Sequence, residues 1–303
     1  MYCMRRLIRA FRMIRIADTS LQQRTPGLLR RLLGNLSGAV GLFLVLFFFA
    51  VAILSALGMT PYPSIEQHPR DRLQPPSETY RMGTDLFGRD VASRVMEGAA
   101  NSLQVAVLAV SLSGVAGITL GMIAGFAGGR LDNWIMRTMD IFFAFPALLL
   151  ALVVVTVLGP GLTNTALAIA IVYMPIFARV ARGPVLAVKQ MDFVMAAQCL
   201  GVPSWRLLFQ HILPNTLAPL IVQVSLALSW ALLTEASLSF LGLGTQPPAA
   251  SWGVMLSESR GIAENAPWLL IYPGIAIMLG VLGFNLLGDG LRDVLDPRMR
   301  GAK

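Results

Sequence analysis

Long runs without Asp, Glu, Lys or Arg dominate the chain. They lie between Arg31 and Glu66, Glu97 and Arg130, Asp140 and Arg179, Arg206 and Glu235, and Glu264 and Asp289. A bilayer core takes about 20 apolar helical residues per crossing, so most of these intervals hold one span. The interval from Asp140 to Arg179 has room for two, and Gly159-Pro160-Gly161 interrupts it. The pattern predicts six helices, at Leu36 to Leu57, Leu103 to Gly125, Trp134 to Leu158, Thr165 to Arg179, Leu217 to Leu241 and Trp268 to Leu287. The runs are continuous rather than alternating, which favours helices over a β-barrel, and lipid offers the backbone no third solution. The predicted class is an all-α membrane protein with six transmembrane helices.

Composition agrees. The chain is 55% hydrophobic and 13% charged, which excludes an ordinary soluble domain. If the N-terminus is cytoplasmic, 18 of the 24 Lys and Arg fall in inside segments. The positive-inside rule then places both termini in the cytoplasm. The net charge of +8 is accounted for by topology and membrane lipid, and calls for no nucleic acid. The expected organisation is a basic cytoplasmic segment at 1–35, a first span at 36–58 and an outer loop at 59–102. A core follows at 103–290, with a cytoplasmic loop at 190–214 inside it, and then a cytoplasmic tail at 291–303.

The stretch from Arg5 to Arg15 reads either as a topology signal or as an amphipathic helix on anionic lipid, where each basic side chain gains about 1 kcal/mol. Ala56-Leu57-Gly58 mimics a signal-peptidase site, but the apolar run before it exceeds a usual leader core of about 7 to 15 residues. Cys3 and Cys199 both fall on the predicted cytoplasmic side, which argues against a structural disulfide.

Chemistry-bearing groups are sparse in the spans. Glu235, near the outer end of the fifth helix, and Asp140, in the inner part of the third, are the main ionisable candidates; both suit an interface or a bundle interior better than catalysis. His68 and His211 lie on opposite predicted sides and cannot share a metal, and the 15 methionines lack ligand spacing. There is no Gly-rich phosphate loop followed by Lys and Ser or Thr, so an ATPase driving this protein must be another chain. The expectation is a non-enzyme that binds no cofactor itself. A self-contained ion-coupled carrier would want ion sites near the midplane; it stays open as the alternative, with a membrane scaffold as a third reading.

The segment FVMAAQCLGVPSWRLLFQHILPN, 193–215, does not suit lipid. Asp192 is placed to cap a short helix, Gly201 and Pro203 stop it, and Trp205 with Arg206 suits the interface where the chain re-enters. Ala196 and Ala197 then make a nearly flat face that fits a groove on a soluble partner.

Ala196-Ala197, Gly201 and Ile212-Leu213-Pro214 resemble the EAA loop of ABC importer permeases. Met195 stands in place of the usual Glu. Further stretches are similar to dipeptide and oligopeptide permeases of the C-subunit type: Gly83-Thr84-Asp85 through Ser102-Leu103, AGFAGGRLD at 124–132, AFPALLLA at 144–151, LGPGLTN at 158–164, EASLSFLGLG at 235–244 and FNLLGDGLRDVLDP at 284–297.

The resemblance implies a type I ABC importer permease fold in the inner membrane, and assigns Met195, Ala196, Ala197, Leu200 and Gly201 to ATPase coupling. It also implies a homologous second permease, two ATP-binding subunits that hold ATP and Mg, a periplasmic or lipid-anchored solute-binding protein, and a peptide substrate.

Other residues carry two readings each. Gly117, Gly121 and Gly125 form a small-residue stripe, either static packing within the subunit or a seam along which bundles rock. Asp85, Arg89, Asp90 and Arg94 have the spacing of ion pairs on a short helix. Glu235 either lines a translocation path or fixes helix ends by hydrogen bonds. Trp252 and Trp268 suit an interfacial belt.

Overall fold

The computed structural model describes residues 28–295; Cys3, the stretch from Arg5 to Arg15 and most of the tail at 291–303 lie outside them. The elements in chain order are α1 (Leu28–Leu33), α2 (Leu36–Ala56), α3 (Val91–Ala127), α4 (Gly129–Phe143), α5 (Ala147–Leu158), α6 (Leu162–Lys189), α7 (Asp192–Cys199), α8 (Ser204–Phe240), α9 (Trp252–Ser259) and α10 (Trp268–Leu295). Among the described residues the only β pairing is a single bridge between Thr84 and Asp90.

Five of these helices, α2, α3, α6, α8 and α10, are long and apolar enough to cross a membrane; α4 and α5 together make a sixth if counted as one broken span. The expected third helix, continuous from Trp134 to Leu158, is therefore corrected. It divides at Ala144-Phe145-Pro146, and its two parts meet at 91°. The cause is Pro146, which has no N–H for the ladder and disfavours helical geometry in the residue before it.

Helix ends follow from local chemistry. Asn35 caps α2 by accepting from the Ser37 N–H at 3.1 Å. Asp90 caps α3 by accepting from the Ser93 N–H at 2.8 Å and its hydroxyl at 2.6 Å. The helix thus starts well before the apolar run that announced it, and the last part of the 59–102 segment is helical.

The core sits where α3, α6, α8 and α10 converge, and α2 packs on α10. The glycine stripe of α3 is buried against α6 of the same chain. A Cβ at Gly117 would strike the Met174 carbonyl, one at Gly121 the Ala178 carbonyl, and one at Gly125 would come within 2.9 Å of Val185 Cγ1. Backbones meet there because no side chain intervenes, and dispersion is the main adhesive available in lipid. Gly38 and Gly41 do the same for α2 against Gly290 and Leu287 of α10.

Gly121→Val should cost about 3 kcal/mol or more by overpacking this seam. Gly183, on the open face of α6 where a Cβ would meet nothing within 4 Å, should accept Ala without loss. Thermal unfolding in detergent checks both; equal behaviour of the two variants would remove the seam's structural role.

Candidate functional site

The loop between α6 and α8 is a short helix fixed at both ends. The Met191 N–H donates to the Val188 carbonyl at 3.0 Å, so α7 follows α6 with no slack. At its other end Gly201 turns the chain at φ +78°, the Gly201 N–H donates to the Gln198 carbonyl at 3.0 Å and the Val202 N–H to the Ala197 carbonyl at 3.1 Å. That is a glycine helix stop of the kind the sequence announced. Asp192 is not the cap: Met191 holds that position without a side-chain bond, and Asp192 is the first helical residue, where its charge still favours the helix N-terminus.

The five coupling candidates separate into two faces. Val194 and Ala197, three residues apart, point inward and pack with Met122, Val185, Val188, Leu207 and Ile212. Ala197 is only 8% exposed, so the flat pair read from the sequence is split, with Ala197 serving as a fastening. Met195, Ala196 and Leu200 face out with Phe193, and Leu200 at 84% is almost fully exposed. The outer face is therefore largely apolar, with large side chains around Ala196 and with Asp192 and Gln198 exposed toward its two ends.

Beyond the turn, α8 opens with a feature the sequence reading missed. Leu207–Ile212 is a π-helical stretch before the chain settles into an α-helix at Leu213. Its signal is Pro214, which cannot donate to the ladder of the preceding turn; the wider π register absorbs that gap. Trp205 is exposed, with the Arg206 guanidinium 5.1 Å from its ring centroid.

Glu235 is fully enclosed. Ser239 Oγ donates to its Oε1 at 2.6 Å, and Ser102 and Ser251 stand beside the carboxyl. Its carboxyl stands between α3, α8 and the start of α9, enclosed within this chain, with Oε2 lacking a hydrogen-bond partner. Trp252 is equally buried, with Nε1 donating to the Val95 carbonyl at 3.0 Å and its ring edge-on to Phe48. It belongs to the core and not to an interfacial belt, because the loop before α9 folds back into the bundle. Trp268 donates to the Thr84 carbonyl at 3.2 Å. Asp140, the other ionisable candidate, meets Arg179 of α6 at 2.5 Å.

At the opposite end of the bundle from α7, Asp85, Arg89 and Arg94 form a buried ionic cluster with Glu258 of α9. Arg89 Nε donates to Asp85 Oδ2 at 2.6 Å; Arg89 Nη2 and Arg94 Nη2 donate to Glu258 Oε2 at 3.0 and 2.8 Å. The stretch is a turn rather than the expected short helix, since Asp85 Oδ1 accepts from the Phe87 and Arg89 N–H groups. Nearby, the Tyr80 hydroxyl donates to Asp71 Oδ2 at 2.9 Å. Burial and the adjacent Asp71 push its pKa up to about 12, so it remains a neutral donor.

The family model described as "Binding-protein-dependent transport system inner membrane component" matches residues 117–301. The dipeptide transport system permease protein DppC of Alkalihalophilus pseudofirmus is 48% identical over 271 residues, 89% of each chain. The di/tripeptide transport system permease protein DppC of Pseudomonas aeruginosa is 45% identical, covering 88% of this chain and 89% of its own. The glutathione transport system permease protein GsiD of Pectobacterium atrosepticum is 44% identical, over 86% and 87% respectively.

Ala197→Arg should destabilise the fold by about 3 kcal/mol, since it buries an unpaired charge, while Ala196→Arg should leave unfolding unchanged. At the other end, Glu258→Gln strips a charged partner from two buried arginines and should cost about 3 kcal/mol. Glu66→Gln, at a half-exposed contact 3.7 Å from His68, should shift stability by less than about 0.5 kcal/mol. Melting in detergent reads all four.

Proposed function

The chain belongs to the family of binding-protein-dependent transport system inner membrane components, and on that premise we propose that it is a peptide-translocating permease subunit of an ATP-driven ABC importer. Family membership favours this over a self-contained ion-coupled carrier or a scaffold. The observation that carries the reading is α7. It is a rigidly held helix whose free face is largely apolar, placed between two membrane-crossing helices.

Such a face suits a groove on a separate ATPase subunit. Met195 stands where the EAA loop of ABC importer permeases usually has Glu, so contact here is by shape and dispersion rather than charge. Two ATP-binding subunits hold the ATP and Mg, and this chain binds neither. One bundle of this size supplies half of a passage and one coupling helix, so a homologous second permease completes the assembly. In this arrangement α7 and both chain termini face the cytoplasm of an inner membrane, consistent with the distribution of basic residues. The cluster around Glu258 then lies on the outer side, where a binding protein delivers its load.

Direction comes from differential contact. ATP binding draws the ATPase pair together, α7 follows its groove, and the passage turns outward; hydrolysis reverses the preference. The relatives named for dipeptides, di/tripeptides and glutathione support short peptides as the substrate class.

Ala196→Arg places a charge on the docking face without touching the core. In reconstituted complex, peptide uptake should fall roughly tenfold or more while insertion and melting stay unchanged, because a charge in an apolar groove costs several kcal/mol. ATPase activity should also lose its response to loaded binding protein. Uptake at the unaltered level would remove α7 from the coupling path.

A further inference from the structure

Charge at membrane depth is expensive and persists only against water or an opposite charge. Two arginines of α6 meet acids of α4, and the two pairs differ. Arg182 grips Asp132 through Nε and Nη2, each at 2.6 Å, with the carboxylate side chain only 10% exposed. Arg179 touches Asp140 by one contact, Nη2 to Oδ1 at 2.5 Å, and the two side chains are 51% and 56% exposed. The Arg179 guanidinium also lies 4.1 Å over the Phe143 ring.

Asp140 lies in the last turn of α4, where its carbonyl accepts from the Ala144 N–H, and Arg179 stands inside α6. Ala178, beside Arg179, packs on Gly121, well inside the charge-free interval of α3 between Glu97 and Arg130. Immediately next to it the span is broken: α4 stops at Phe143, α5 starts at Ala147, and the exposed residues Ala144, Phe145 and Pro146 turn the chain. Non-helical backbone at that depth is tolerated against protein or water and not against lipid, and interrupted helices mark binding sites in transporters. An accessible ion pair, an aromatic face and an exposed break thus meet at one place.

We infer that Asp140 and Arg179 contact the substrate on the wall of the passage. Asp140 takes the ammonium and Arg179 the carboxylate of a short zwitterionic peptide, with Phe143 beneath its backbone; this rests on the reading of the chain as a peptide permease. Without substrate the two side chains satisfy each other. With it, each exchanges one opposite charge for another, so no net charge is desolvated as the peptide moves on. Arg182 and Asp132, closed and bidentate, hold α4 in place.

The test uses the whole importer in vesicles with its binding protein in excess. It reads uptake of dialanine, N-formyl-dialanine and dialanine amide, each divided by the unaltered complex's rate for that peptide so that the binding protein's own preference cancels. Asp140→Asn should lower relative uptake of dialanine and its amide by about tenfold or more and spare the formyl peptide; Arg179→Gln should spare the amide instead. If a neutral variant fails to insert, Asp140→Glu and Arg179→Lys carry the same comparison, with KM rising for the matching free terminus alone. Equal loss for all three peptides, recovered when Asp140→Arg is combined with Arg179→Asp, would show a latch and overturn the inference. So would full uptake in both single variants. Failure of the parent reading looks different: the unaltered complex would hydrolyse ATP yet take up none of the three peptides, and both readings would fall.

Discussion

The approach of α3 to α6 is the constraint on which the rest of the molecule depends. Lipid tails are as apolar as the side chains they would replace, so helices in a membrane gain little from hiding Leu or Val and much from close van der Waals fit. Gly117, Gly121 and Gly125 remove side chains from one face of α3 and let the α6 backbone come to rest on it. Phe177, Ala178 and Ala181 are then sealed without exposure. The same contact sets the height of everything α6 carries: Arg179 and Arg182 toward α4, and α7 at its far end. Lys189 secures that end by donating to the Phe126 carbonyl, an acceptor left free where α3 stops.

The spans were legible in the sequence because hydrocarbon excludes charge, and a missing charge shows in every residue type. The limits of the helices were less so. Val91 to Ser102 is helical though polar, because Asp90 caps it and Trp252 packs over Gly98; the first signal is local, the second comes from far along the chain. Pro146 was a readable mark of the broken span, but Gly159-Pro160-Gly161 was the stronger punctuation in that interval and drew the boundary instead. Both breaks are real.

The helix α7, proposed above to couple, was legible by motif and incompletely by physics. Ala196 and Ala197 are adjacent in sequence, and adjacent helical residues do not share a face. Val194, three residues before Ala197, was the available sign that Ala197 turns inward. Glu258 had no sign at all. It completes the shells of Arg89 and Arg94 across more than half the chain, and nothing local to α9 distinguishes it from a solvated acid. Buried ionic clusters add little stability over apolar packing, yet they fix geometry because a misplaced partner strands a charge.

Pro175 and Pro184 lie inside α6, and each deletes a ladder hydrogen bond where a helix would bend. An isolated α6 would flex at both points and dissipate any displacement applied to its end. The glycine seam covers this stretch: Gly117 faces Met174, just before the first proline, and Gly125 faces Arg182 and Val185, on either side of the second. The backbone of α3 therefore splints α6 where it is weakest. Between the two prolines sit Arg179 and Arg182, so the splinted segment bears both ion pairs to α4. In the proposed coupling, displacement of α7 arrives at α4 as movement of one body, and the compliant joint is left at Ala144-Phe145-Pro146, where the helix is already interrupted.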